Sequence, residues 1–158
     1  GYRLASVEVD LSVPVGDAVI TGRVDRLEVG RDGRLRVVDL KTGSSKPRAD
    51  EVRTHPQLGA YQVALEESPR PVVAEPGVRP GSGGAALVHV GRAAGVAAAV
   101  QAQGPLEMAA DPAWAHRMVT DAARGMAGAR FPAQVGDWCR TCPVRHSCPL
   151  QPEGQVLR

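Results

Sequence analysis

Between residues 7 and 13, Val7, Val9, Leu11 and Val13 alternate with Glu8, Asp10 and Ser12. This period of two predicts a half-buried strand, with a turn over residues 14–17, and it leaves Glu8 at an ordinary outward position. Residues 19–29 and 35–41 are two further β-rich runs, separated by Gly30-Arg31-Asp32-Gly33, which predicts a hairpin with a short loop. A loop over 42–50 follows. Pro56 suits the first position of a helix, and Leu58, Tyr61 and Leu65 recur at i, i+3 and i+7, so residues 56–67 are predicted as an amphipathic helix. The stretch 75–84 is dense in Gly and Pro and reads as a mobile loop. Residues 85–90 and 95–101 are predicted as two more strands, and Asp111 followed by Pro112 predicts a capped helix running to about Gly128.

The register of the predicted hairpin can be tested by residue type, because side chains directly opposed across an antiparallel pair must be compatible. Pairing positions whose numbers sum to 64 sets Val29 against Leu35, Leu27 against Val37 and Glu28 against Arg36. It also places Gly33 where a three-residue loop favours a left-handed residue. The same register brings Asp25 opposite Asp39, with Cβ atoms about 5 Å apart, a like-charge pair that destabilises a sheet. A hard cation between them removes that repulsion, since Mg²⁺ is held by one or two carboxylates plus water and phosphate oxygens. Lys41 lies two residues after Asp39, on the same strand face. A point positive charge there can position an attacking water and stabilise charge that develops in phosphoryl transfer. An isolated Asp-x-Lys is more often a solvated strand. Here Leu27, Val29, Leu35 and Val37 share the face, which is therefore predicted to be buried, and this favours a site.

Composition narrows the picture. The 158 residues suffice for one domain, and 43% apolar with 23% charged residues is an ordinary globular balance. Tyr2, Tyr61, Trp114, Phe131 and Trp138 are the only aromatics, too few for a platform that stacks single-stranded nucleic acid. A net charge of +2 is too mild to mark a nucleic-acid binder by bulk electrostatics. Lys41 and Lys46 are the only lysines among 19 basic residues, which singles out Lys41 further. Three cysteines cannot form an even disulfide framework, so a reducing, cytoplasmic setting is expected. No apolar run is long enough to span a bilayer, no leader is evident, and the absence of an initial Met points to a piece of a larger protein.

The strings Gly22-Arg23-Val24-Asp25-Arg26-Leu27-Glu28, Val37-Val38-Asp39-Leu40-Lys41-Thr42-Gly43 and Gln57-Leu58-Gly59-Ala60-Tyr61 resemble, in order and spacing, the RecB-like branch of the PD-(D/E)XK nucleases. The resemblance implies an α/β fold in which a mixed central β-sheet is flanked by helices, the restriction-endonuclease-like core. It implies that Asp25, Asp39 and the Leu40 backbone carbonyl bind Mg²⁺ or Mn²⁺ and that Lys41 assists hydrolysis of a DNA phosphodiester. Gln57 and Tyr61, on one helix face by their i, i+4 spacing, would border this site, although Tyr61 reads equally well as core beside Leu58 and Leu65. Family members carry a further metal ligand in an earlier helix, which would lie upstream of Gly1. On this reading residues 1–158 are the C-terminal part of a RecB-like nuclease domain, with 131–158 a cysteine-containing tail.

Cys139, Cys142 and Cys148 are spaced as metal ligands are. The resemblance extends to the AddB- and AdnAB-type helicase-nucleases and implies a [4Fe-4S] cluster whose fourth cysteine lies outside this chain. A Cys₃His zinc site completed by His146 is the second reading. The implied protein is an exonuclease acting in DNA double-strand-break repair and recombination, with DNA, a helicase motor on the same polypeptide and a partner helicase-nuclease subunit as its associates, and no membrane. A stand-alone RecB-family exonuclease, including the CRISPR-associated kind, and a catalytically silent DNA-binding or scaffold module remain the alternatives.

Overall fold

The computed structural model describes residues 1–43, 45–91 and 98–156. Five strands form one mixed sheet in sequential order: β1 Arg3–Val15, β2 Ala18–Val29, β3 Arg34–Lys41, β4 Arg79–His89 and β5 Ala99–Gln103. Among the described residues only β3 and β4 run parallel. Such a pair needs a crossover connection, supplied here by α1 (Ala49–Val52) and α2 (Pro56–Glu67), and α3 (Trp114–Ala127) follows the sheet. The expected α/β class, a mixed sheet with flanking helices, is the one observed.

The β1–β2 and β2–β3 hairpins are set by their turn residues. β1 and β2 pair as far as Val15↔Ala18, so the loop shrinks to Gly16-Asp17, and Gly16 takes φ 57° at the first central position of a two-residue turn. The strand therefore outruns the predicted 7–13 at both ends. β2 and β3 adopt the deduced register, with Val29↔Leu35, Glu28↔Arg36 and Leu27↔Val37, and Gly33 is left-handed at φ 84°. Glu28 accepts hydrogen bonds from both Arg36 and Arg26, so the cross-strand charge pair is built as read.

The stretch 75–84 departs from expectation. β4 begins at Arg79, six residues before the predicted strand, and its glycines are irregularities within a strand rather than signs of a mobile loop. Gly81 (φ 93°) and Gly84 (φ 103°) hold backbone that a side chain resists, and the register with β3 slips across this stretch. A Cβ at Gly84 would also stand 2.7 Å from the Gln103 carbonyl oxygen. The predicted strand 95–101 is observed as Ala99–Gln103, and residues 95–97 lie outside the described residues. α3 starts at Trp114 because Asp111 caps a preceding turn, accepting from the Ala113 N–H at 3.2 Å. The loop predicted over 42–50 gives way to α1 at Ala49.

α2 is buried on more than one face. Leu58, Ala64 and Leu65 pack on Leu27, Val29, Leu35, Val37, Ala85 and Leu87 of the sheet. Val63 joins Leu106, Ala115 and Val119 in a second cluster that also involves Trp114. The apolar surface of this helix is thus wider than the single stripe predicted, since it is covered from two sides. Gln62 is fully buried between them and fully bonded: its Nε2 donates to Gln103 Oε1 (2.8 Å) and the Gly104 carbonyl (3.1 Å), and its Oε1 accepts from Ser82 Oγ (3.0 Å).

Gly59 of α2 lies against the Trp114 indole so closely that a Cβ would overlap the ring. Gly59→Ala, a favourable exchange in most helices, is expected here to destabilise by about 1–3 kcal/mol through overpacking. Urea unfolding monitored by circular dichroism measures it, and a gain in stability would contradict the contact.

The chain divides into two units, Gly1–Ala123 and Arg124–Arg158. Within the second, short 3₁₀ turns occupy Asp137–Thr141, Arg145–Ser147 and Pro152–Val156, and Arg145 pairs with Glu153 at 3.3 Å.

Candidate active site

Asp39 and Lys41 stand at the carboxyl end of β3, the central strand, where Lys41 is in register with His89 at the end of parallel β4. In open α/β sheets this end of the strands is the place for a ligand. The amino-terminal turn of α2 brings Gln57 to the same spot. Gln57 Nε2 donates to Asp39 Oδ1 at 2.8 Å while Gln57 Oε1 accepts from Lys41 Nζ at 2.8 Å, a double role that an amide can fill and a carboxylate cannot. One turn on, the Tyr61 hydroxyl donates to the Arg23 carbonyl at 3.1 Å and accepts from Gln57 Nε2 at 3.4 Å. Tyr61 also packs against the main core, so both readings of it hold at once.

Lys41 Nζ lies 2.8 Å from Asp39 Oδ2, but off the angle of a hydrogen bond. Asp39 is only 6% exposed, and its Oδ2 is buried with an ion-pair contact and no hydrogen bond. The β2–β3 ladder stops at Arg26↔Val38, one pair short of the predicted Asp25–Asp39 pair. Asp25 Oδ2 instead accepts the Leu40 N–H at 2.7 Å, so a side chain takes the place of a ladder bond. The cause lies in the strands. Val24 and Leu27 are three apart yet both join the core, so β2 switches faces across Asp25. Across from it on β1, between Val7↔Arg26 and Val9↔Val24, Glu8 is left-handed at φ 53° and pairs with Arg23 at 2.8 Å. Its side chain is exposed, as the alternation predicts, and it is the left-handed backbone that departs from an ordinary strand residue.

These groups fit a hard divalent cation. Asp39 Oδ2 is a buried oxygen lacking a hydrogen bond, and Asp25 has its second oxygen to offer. Lys41 turns its carbonyl to the N–H of Val90, just past the end of β4, and successive strand carbonyls alternate, so the Leu40 carbonyl faces the Asp25 side. Two carboxylates and a carbonyl are oxygen donors of the kind that Mg²⁺ or Mn²⁺ accepts, and Asp25, Asp39 and Leu40 are the residues that would hold such an ion, with water and phosphate completing the set.

Three of the histidines bear on the candidate residues to different degrees. His89 is buried with Nε2 2.7 Å from Gln101 Oε1, as befits a core histidine, and His116 meets Glu67 at 3.1 Å. His55 precedes α2, and burial first, then the charge of Lys41, holds its pKa below the usual value despite the opposing pull of Asp39. It is therefore neutral at neutral pH, and acidification that forces a proton onto it weakens the fold. Sequence reasoning assigned His55 no role and gave no sign of the strained backbone at Glu8. Only the adjacency of His55 to Pro56-Gln57 could have drawn attention to it. A separate hollow of about 650 Å³, lined in part by Arg53, Leu106, Met108 and Trp114, contains none of the candidate residues.

In the second unit, Cys139, Cys142 and Cys148 are free and half-buried. Cys139 Sγ accepts from the Gly136 N–H at 3.4 Å. Among the described residues no three Cys, His, Asp or Glu side chains converge as a metal site. The donors suit iron or zinc in kind, but as placed they do not enclose an ion, with or without His146.

A five-stranded mixed sheet with flanking helices, carrying Asp39 and Lys41 at the carboxyl end of its middle strand, is an α/β fold of the restriction-endonuclease-like class. The chain belongs to the PD-(D/E)XK nuclease superfamily, whose family model matches residues 1–149. It is also similar to a solved structure described as "Crystal structure of SSO0001", at 20% identity and a TM-score of 0.50, a likeness of fold alone. The match covers 92% of this chain and 60% of that one, so the chain spans less than two thirds of that structure's length. No curated protein matches it. Among the described residues no helix is long and apolar enough to cross a membrane.

Proposed function

We propose that this chain is the catalytic part of a RecB-like, divalent-metal-dependent DNA exonuclease, working within a helicase-nuclease in the cytoplasm during double-strand-break repair. The buried Asp39 Oδ2, without a hydrogen bond and beside both Lys41 and the Asp25–Leu40 bond, is the observation that carries this reading. Asp25, Asp39 and the Leu40 carbonyl hold Mg²⁺ or Mn²⁺. The ion, when bound, supplies Lewis-acid polarisation of the phosphate. Lys41 places positive charge beside the scissile phosphate and orients the water that attacks phosphorus as one P–O ester bond breaks. Gln57 fixes the lysine and Asp39 relative to each other, and Tyr61 fixes Gln57. On this reading residues 131–158 form a tail whose three cysteines contribute to a [4Fe-4S] cluster completed by a thiolate from elsewhere. That tail would have to reorganise to do so. DNA, a helicase motor on the same polypeptide and a partner subunit are the implied associates.

Mn²⁺ titration calorimetry on the chain and on its Asp39→Ala variant tests the proposal without requiring turnover. Binding that disappears in the variant is the expected result. Equal binding by both would remove Asp39 from the metal site and defeat this reading.

A further inference from the structure

The hollow of about 650 Å³ lies wholly within the first unit, and the metal-dependent reading makes no use of it. Three stretches wall it: α1 with the two residues that follow, the end of β5 with the loop into a 3₁₀ turn at Leu106–Met108, and Trp114 at the start of α3. Its volume falls in the range of about 300–1,000 Å³ that small-molecule sites occupy.

The walls are held by bonds already made. Gln103 Nε2 donates to the Val52 carbonyl at 2.7 Å, which fastens β5 to α1, and Gln103 Oε1 accepts from Gln62 Nε2 at 2.8 Å, which fastens β5 to α2. Leu106 is 2% exposed, and the Trp114 ring rests on Gly59 with no room for a Cβ between them. The hollow is therefore formed before any ligand arrives, and filling it costs little reorganisation. Ala102, Pro105, Leu106, Met108 and Trp114 give it a mainly apolar surface with an indole in the wall, which suits a planar ring system. Met108, 77% exposed, is an unbranched side chain that can settle against such a ring.

Charge decides what the ring must carry. Asp50, Arg53 and Asp111 are the charged residues that line the hollow. Asp50 is paired with Arg48 at 3.4 Å, and Asp111 is held by Arg117 and accepts from the Ala113 N–H. Both acids are thus neutralised by arginines from outside the hollow. The Arg53 side chain has no hydrogen bond or ion pair among the described residues, so the charge left over is positive. With the Thr54 hydroxyl beside it in sequence, it offers donors to an anion.

We propose that this hollow binds a planar aromatic ring system bearing one anionic group, with the ring against Trp114, Leu106 and Met108 and the anion on Arg53. Two sources share that chemistry, a nucleoside monophosphate and a free aromatic carboxylate. The site is separate from Asp25, Asp39 and Lys41, and it stands or falls independently of the nuclease reading.

Titration calorimetry with 2-naphthoate tests it, with thermal melting to establish that each variant is folded. Saturable binding at one site per chain is expected. Arg53→Gln, a change at an exposed residue, is expected to weaken it about tenfold, the scale of losing a hydrogen bond to a charged group. The uncharged 2-naphthamide should bind both chains alike. Arg31→Gln removes another exposed, unpaired arginine, at the Gly30–Gly33 turn, and should leave naphthoate affinity unchanged. Ala110→Phe fills the hollow from its exposed rim and should abolish binding. No saturable binding, unaltered affinity in Arg53→Gln, an equal loss in Arg31→Gln, or full affinity in Ala110→Phe each overturns the inference. Competition with dAMP separates the sources: displacement of naphthoate supports the nucleotide, and naphthoate that stays bound supports the free carboxylate. Mn²⁺ binding at Asp39 is a separate measurement, so failure here and failure of the metal site are told apart.

Discussion

Lys41→Ala is expected to lower Mg²⁺-dependent DNA cleavage by about a thousandfold while DNA affinity changes little, because the loss falls on charge stabilised in the transition state rather than on ground-state contacts. Lys41 is one of two lysines, and it is fixed by Asp39 at 2.8 Å and Gln57 at 2.8 Å. Lys46 cannot stand in for it. Arginine is a poor replacement, since its planar fork does not reproduce the single point contact made to Gln57 Oε1. The variant also separates Lys41 from the metal ligands. Removing an ammonium that competes for Asp39 Oδ2 should leave Mn²⁺ binding intact or stronger, whereas Asp39→Ala should abolish it. A gel assay of cleavage alongside fluorescence anisotropy of labelled DNA gives the split. Cleavage at the unsubstituted rate would remove Lys41 from the chemistry altogether.

Gln62→Leu is expected to destabilise the fold by about 3 kcal/mol, the scale of leaving several buried polar groups without partners. The side chain is fully buried, and its removal deprives Ser82 Oγ of an acceptor and Gln103 Oε1 and the Gly104 carbonyl of a donor. Gln103 in turn donates to the Val52 carbonyl at 2.7 Å, so the loss spreads from α2 to α1, β4 and β5. Leucine matches glutamine in bulk, which confines the effect to hydrogen bonding. The shift of the urea midpoint at constant slope measures it. Ser82→Ala removes a single donor and should show a fraction of the effect. An unchanged midpoint in Gln62→Leu would mean that water or a rearranged Gln103 satisfies the exposed groups.

What could be read from the chain in advance followed from local rules. The β2–β3 register came from matching Glu28 to Arg36 and Leu27 to Val37, and Gly33 is left-handed where the loop required it. The face carrying Leu27, Val29, Leu35 and Val37 is buried, at 4% exposure or less, which is what made Asp39 and Lys41 stand out. Tertiary context decided the rest. The glycines at 81 and 84 read as a loop because positive φ in a strand is justified only by the neighbours that β4 meets, including the Gln103 carbonyl. The Asp25–Leu40 bond was invisible because a register rule extends a ladder indefinitely, whereas real strands part where a side chain can satisfy the backbone better. Nothing in the helical period marked Gln62 as buried, since its partners come from strands far along the chain. His55 was assigned no role for the same reason: its setting depends on how close α2 comes to β3.

The parallel pairing of β3 with β4 also fixes an order of assembly. β1, β2 and β3 are joined by tight turns, so Asp25, Asp39 and Lys41 belong to a meander built from contacts between near neighbours in sequence. β4 can dock on β3 only after the whole crossover through α1 and α2 has been closed, a step whose loop entropy slows it. A chain folding as it is synthesised therefore presents Asp25, Asp39 and Lys41 before Gln57 arrives to bond the lysine and Asp39. The helix that joins Lys41 to Asp39 through Gln57 is the last part of the site to be committed.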